Sequence, residues 1–140
     1  ACESFTDKYL DSGYTIVGNI KILSSDIRKF QMAKAAIRTG IEILIKKADI
    51  KLCELDKIYI AGGLGNAIDI NKALKVGLIP EDSNCEVIAV GNSSLEGCVT
   101  YINNSNKCEV IITDIIEASE NIMLGNVEEF NDLFLSYLNF

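Results

Sequence analysis

Gln31, Lys34 and Arg38 recur at i, i+3 and i+7, a spacing that sets an amide and two cations along one stripe of a helix. Such a row could clamp an adenosine, with the Arg38 guanidinium stacked on base or ribose. A solvated stripe in which Arg38 pairs with Glu42 at i+4 is the simpler account from residue chemistry alone. The second candidate is Ile58-Tyr59-Ile60-Ala61-Gly62-Gly63-Leu64-Gly65-Asn66, an apolar run ended by glycines. Glycines admit a flat or anionic ligand to a backbone that a Cβ would shield. Asn66 could donate to a phosphate or ribose, or hold a left-handed turn position. A tight strand-to-helix turn without a ligand accounts for the same residues. Gly91-Asn92-Ser93-Ser94 offers N–H groups at a helix start, an anion site in principle and plain capping by default.

Hydrolytic machinery is missing. The chain has no histidine, so neither a Ser/His/Asp nor a Cys/His set can be assembled, and no catalytic residue is assigned. Asp69 reads as a helix cap, and Asp26 and Asp56 begin a helix and a strand, so none makes a general base.

These residues must be positioned by a small set of elements. Tyr14 to Leu23 is rich in β-branched residues and broken by Gly18-Asn19, which predicts a hairpin or bent strand. Ser24 or Ser25 then caps a long helix running to about Ala48, with Asp26 at its positive end. Phe30, Ala33, Ile37, Ile41, Leu44 and Ala48 fall on one face, expected to be buried, with the Gln31/Lys34/Arg38 stripe beside it. Gly40 inside the helix costs about 1 kcal/mol relative to Ala and implies close packing there. A buried strand over 57–61 leads into the glycine turn. Asp69 then caps a short helix through Val76, closed by Gly77 and Pro80. Cys85 to Val90 reads as a second buried strand, and Ser93-Ser94-Leu95-Glu96 as a capping box before a helix faced by Leu95, Val99 and Ile102. Two strands each followed by a helix imply a parallel pair, whose C-terminal edge is where open α/β sheets bind ligands. The last third predicts a helix over 107–118, a short strand near 121–124 and a helix over 127–138.

The 140 residues suit one α/β domain, and with 49% apolar residues a sizeable core is available. A net charge of -7 argues against nucleic acid, since phosphate binding needs clustered Lys and Arg. No apolar run is long enough to cross a bilayer. Residues 1–13 read as a tail or truncated element, and the chain, beginning with Ala, as an excised piece of a longer protein. Five scattered cysteines (Cys2, Cys53, Cys85, Cys98, Cys108) with no C-x-x-C suggest free, buried thiols in a reducing cytoplasm rather than a zinc or iron–sulfur motif.

Ser25 to Ile41 and Ile58 to Asn66 together resemble the C-terminal domain of the ATP-dependent reductive activators of corrinoid proteins, a family also called ferredoxin-like or metal-binding proteins. Ala73 to Pro80, Val90 to Gly97 and Phe130 to Phe140 extend the resemblance in the same order, over most of the chain from residue 14. The resemblance implies an RNase H-like half-domain of the acetate and sugar kinase/Hsp70/actin superfamily (ASKHA), a small parallel or mixed sheet flanked by helices, over 14–140. It implies that Gly62, Gly63, Leu64, Gly65 and Asn66 form the adenosine-binding turn and that Gln31, Lys34 and Arg38 hold the nucleoside.

It further implies ATP or ADP with Mg²⁺ in the intact protein, a [2Fe-2S] cluster on an N-terminal domain not present here, and a corrinoid protein as partner, returned from Co(II) to Co(I). The chain departs from that pattern by lacking the iron–sulfur cysteines, the phosphate loops and the metal-binding acids of the first half-domain. Alone, it is expected to be inactive. The alternative is a docking module for the corrinoid protein or for homodimerisation, marked by an exposed patch around Phe134, Leu135, Tyr137, Leu138 and Phe140. A third reading, metal held by the scattered cysteines, needs at least three of them at one point.

Overall fold

A computed structural model describes residues 13–81 and 85–140, excluding the side chains of Leu64 and Asn66. The expected tail lies almost wholly outside the described residues, as do Cys2 and the roles proposed for the Leu64 and Asn66 side chains.

The chain opens with the predicted hairpin. Strands β1 (Tyr14–Val17) and β2 (Ile20–Ile22) pair antiparallel around Gly18, whose φ of 55° only glycine adopts readily. Helix α1 (Ser24–Lys47) follows, about 35 Å long. Its cap differs from the expectation: Leu23 is the N-cap and Ser24 the first helical residue. Asp26 accepts the Leu23 N–H at 3.0 Å, so a carboxylate in the first turn satisfies a backbone donor at the helix start. After a 3₁₀ turn (Leu52–Glu54), strand β3 (Lys57–Ala61) runs parallel to β4 (Glu86–Gly91).

The glycine stretch is not a free turn. Gly62–Ala67 is itself a short helix, α2, and a second, α3 (Ile70–Lys75), follows it. The turn is compressed into Gly62, whose φ of 85° reverses the chain at the end of β3. Asp69 caps α3 as expected, accepting the Lys72 N–H at 3.1 Å, and Gly77, at φ 73°, ends it. Helix α4 (Ser93–Asn103) is capped by Asn92, which accepts the Leu95 N–H at 3.2 Å. The predicted capping box therefore does not form: with the cap one residue earlier, Glu96 lies beyond the third helical position. Helix α5 (Ser105–Ala118) confirms the expected helix over 107–118. The expected strand at 121–124 is absent. That segment leads into a 3₁₀ turn, Leu124–Asn126, and a Cβ on Gly40 would stand 3.4 Å from the Leu124 side chain, the close packing that Gly40 implied. The last helix, α6 (Phe130–Ser136), is shorter than predicted and packs on α1.

The class is α/β as expected, but the described strands form two separate two-stranded sheets. Ala73, Leu78 and Ile79 make the buried cluster under β3 and β4, with Ile58, Ile60, Ile68, Leu74, Val76 and Val87 against it. Neither strand is fully buried. β3 alternates, leaving Tyr59 60% exposed, because two strands cannot cover both of their own faces.

Burial of α1 reverses the expectation. Lys34, Ala35, Thr39 and Ile43 are its buried residues, whereas Phe30, Ala33, Ile37, Leu44 and Ala48 are exposed and Ile41 is half-buried. The apolar stripe is real, but most of it stays exposed, and α6 meets α1 beside Glu42, Ile45 and Lys46. Leu95, Val99 and Ile102 of α4 are likewise exposed.

Candidate functional site

Parallel pairing brings the C-terminal ends of β3 and β4 to one sheet edge, with Ala61 beside Gly91. Gly62 and Gly63 leave that edge at the start of α2, and Asn92 caps α4 next to it. The three glycines of this edge have different causes. Gly62 is required by its positive φ. Gly65 is required by packing, since a Cβ there would stand 2.5 Å from the Ile60 carbonyl oxygen. Gly63 has neither reason: its φ is not positive, and a Cβ would meet nothing within 4 Å. Its bare backbone faces open space at the edge where α/β folds bind ligands.

The α1 stripe is more closed than a solvated row of side chains would be. Gln31 and Arg38 are half-buried, and Lys34 is only 3% exposed. Its long aliphatic stem explains how a cation reaches this position: the methylenes pack while the ammonium finds polar company. Lys34 Nζ donates to the Asn139 carbonyl and sits 5.0 Å above the centre of the Phe140 ring. Burial, and secondarily the Arg38 charge, lowers its pKa from the ordinary lysine value. Arg38 donates to Glu42 at 2.6 Å, the i+4 pair anticipated from sequence, and lies 5.1 Å over the Tyr137 ring.

Lys34 and Arg38 open together on a cavity of about 270 Å³, walled also by Lys75, Gly77, Tyr137 and Phe140. Gln31, Gly62 and Gly63 are not among its walls. The structure thus joins two of the three stripe residues and places them on a cavity distinct from the glycine edge. Tyr137 and Phe140 are the contributors that sequence reasoning missed as site residues. Their aromatic character was visible, but not their placement over two cations a hundred residues earlier.

The expectation of buried thiols fails: Cys53 and Cys98 are exposed, and Cys85 and Cys108 are half-buried. Among the described residues no three Cys, Asp or Glu side chains are placed together to hold a metal ion. No described helix is long and apolar enough to cross a membrane.

A parallel strand pair feeding helices from glycine-marked ends defines an α/β domain with one ligand-facing sheet edge. The family profile described as the C-terminal domain of RACo, the ASKHA domain, matches residues 6–140. The chain belongs to this family, the C-terminal domains of reductive activators of corrinoid proteins. It is 34% identical over 121 residues to the corrinoid activation enzyme RamQ of Eubacterium limosum, covering 83% of this chain and 20% of that protein. It is 26% identical over 137 residues to a [Co(II) methylated amine-specific corrinoid protein] reductase of Methanosarcina barkeri, covering 94% and 24%. The solved structure of a reductive activator for a corrinoid, iron–sulfur protein superposes with a TM-score of 0.72 at 30% identity, over 84% of this chain and 18% of that one. The chain spans about a fifth of the length of the curated relatives it matches.

Proposed function

We propose that this chain is the nucleotide-facing lobe of an ATP-dependent activator that returns a corrinoid protein from Co(II) to Co(I). The observation that carries the reading is Gly63, a glycine that neither backbone conformation nor packing requires, set at the ligand-binding edge of the sheet. Membership in the reductive-activator family supports the wider role in corrinoid activation.

In this reading the Gly62-Gly63 backbone takes the adenosine and the N-terminal N–H groups of α4 face its anionic part. Lys34 and Arg38 supply positive charge from their own cavity. Asn66 and Leu64 remain members of the proposed turn through their positions in α2. Mg²⁺ and the attacking water are assigned to the facing half-domain, as the family resemblance implies. The [2Fe-2S] cluster that delivers the single electron also belongs outside this chain, which then neither hydrolyses ATP nor reduces cobalt alone. Its compartment is the cytoplasm.

Calorimetric titration of ATP and ADP into the chain tests this, with Arg38→Ala and Gly63→Val as controls. Binding in the native chain that is lost in both variants supports the nucleotide lobe; equal binding in all three removes the assignment.

A second reading, docking of the corrinoid protein or of a second copy, is favoured by one observation. Val99 and Ile102 of α4 and Val110, Ile111, Ile115 and Ile116 of α5 are all exposed, Ile102 by 78%, more apolar surface than a monomer ordinarily leaves open. Of the C-terminal patch expected to mark docking, Leu135 and Phe140 are exposed, whereas Phe134, Tyr137 and Leu138 are half-buried.

A further inference from the structure

The two cations proposed to hold a ligand are already engaged by the chain itself. Beyond the end of α6, residues 137–140 turn back onto α1 and meet it at each polar handle it offers there. The Tyr137 ring lies under Arg38, the Asn139 carbonyl accepts from Lys34 Nζ, and the Phe140 ring lies under the same ammonium. Phe140 stacks in turn on Phe30, ring centres 6.0 Å apart and planes 19° from parallel. These contacts leave Lys34 3% exposed although it lines a cavity. Phe140 itself is 69% exposed, so its α1 contacts hold the segment in place without burying it in a core. A segment held by cation–π and single hydrogen-bond contacts opens at far lower free energy than the core beneath it.

We propose that residues 137–140 form a strap that covers the Lys34 amine and controls access to the Lys34/Arg38 cavity, so that an anionic, base-bearing ligand binds by displacing Asn139 and Phe140 from Lys34. The ligand class rests on the nucleotide reading above; the strap itself rests on the contacts just described. An anionic group of such a ligand would replace the Asn139 carbonyl and the Phe140 ring at the Lys34 ammonium. Gly77, whose would-be Cβ lies 3.8 Å from Lys34 Nζ, leaves the ammonium room on the α3 side.

The test is competitive acylation of the 140-residue chain by an acetyl N-hydroxysuccinimide ester, read lysine by lysine by mass spectrometry. Its sign is clean. The first cause of the lowered Lys34 pKa is its burial, so a Lys34 freed of the segment would react much as exposed Lys72 does. The strap predicts slower reaction in the native chain, with Lys34 behind Lys72 by about tenfold or more, the factor set by the opening equilibrium. Phe140→Ala should raise Lys34 labelling to the level of Lys72 or above while leaving other lysines unchanged, and Phe140→Tyr, which keeps the ring, should not. Phe30→Ala, which removes the ring under Phe140, should act in the same direction, and global unfolding would be recognised by faster labelling of every lysine.

Lys34 labelling as fast as Lys72 in the native chain, or unmoved by both alanine substitutions, overturns the strap. ATP titrations on the same proteins separate the two claims. Tighter ATP binding by Phe140→Ala supports control of access, and measurable ATP binding unchanged by it overturns that control. If neither protein binds ATP while labelling responds as stated, the cover over Lys34 stands and the nucleotide reading falls.

Discussion

Replacing Gly63 separates ligand approach from folding more sharply than any other change at the sheet edge. A Cβ at this position meets nothing within 4 Å, and the residue does not occupy the left-handed region. Gly63→Ala therefore adds no clash and removes backbone freedom from the unfolded chain, which should stabilise the lobe by about 0.5–1 kcal/mol. For a domain of this size that is a rise in Tm of roughly 2–4 °C per kcal/mol. The same Cβ projects into the space assigned to the nucleotide. Gly63→Val, with its larger branch, should weaken ATP binding by about tenfold or more, roughly 1.4 kcal/mol. Gly65→Ala is the contrast: its Cβ would fall 2.5 Å from the Ile60 carbonyl oxygen, so it should lose about 1–3 kcal/mol of stability through forced backbone displacement. Thermal unfolding and ATP calorimetry on the three variants check this together. An ATP affinity unchanged by Gly63→Val, or a Tm lowered by Gly63→Ala, would refute the reasoning.

Other outcomes follow from particular contacts. Thr39 is fully buried and its Oγ1 has no hydrogen-bond partner, so Thr39→Val should stabilise the chain by about 1 kcal/mol in chemical denaturation. Asp69 accepts the Lys72 N–H, and that bond with the nearby Lys72 ammonium holds its carboxyl below the ordinary aspartate range. A depressed carboxylate contributes stability that is complete above the unfolded pKa and is lost as pH falls through the folded one. Acid unfolding of the native chain should therefore carry a component below about pH 4 that Asp69→Asn removes. Ile102→Asp, on the uncovered face of α4, should change stability by less than about 0.5 kcal/mol; loss of self-association in sedimentation with unchanged ATP binding would assign that face to docking.

Elements governed by local chemistry were legible in the sequence. β3 lies at 57–61 as predicted because a β-branched and aromatic run meets glycine at once. Asp69 and Gly77 bracket α3 because a capping carboxylate and a left-handed glycine act on neighbouring backbone alone. Whatever depended on distant partners was not legible. The Phe30–Leu44 stripe has the period of a buried face, yet burial also needs something to cover it, and α6 meets α1 beside Glu42, Ile45 and Lys46 instead. Asn92 displaced the serines as cap of α4 because the helix starts directly at the end of β4, a boundary that the Ser-Ser-Leu-Glu pattern shifts by one residue.

The site divides in the same way. Residue types and helical spacing identified Lys34 and Arg38, and glycine density identified the sheet edge. That Lys34 is buried under the C-terminal segment depends on contacts a hundred residues apart in the chain, which no local pattern encodes. Gly63 was distinguishable from Gly62 and Gly65 only once the space around each Cβ position was known.

The central claim, that the glycine edge of this lobe receives a nucleotide, is tested most directly by amide chemical-shift mapping of the ¹⁵N-labelled chain during an ATP titration. The account predicts saturable shifts at the Gly62, Gly63 and Gly65 amides and at the Asn92–Leu95 start of α4, accompanied by shifts in residues 137–140 as the segment leaves Lys34. Spectra unchanged by millimolar ATP, or shifts confined to the exposed faces of α4 and α5, would contradict it.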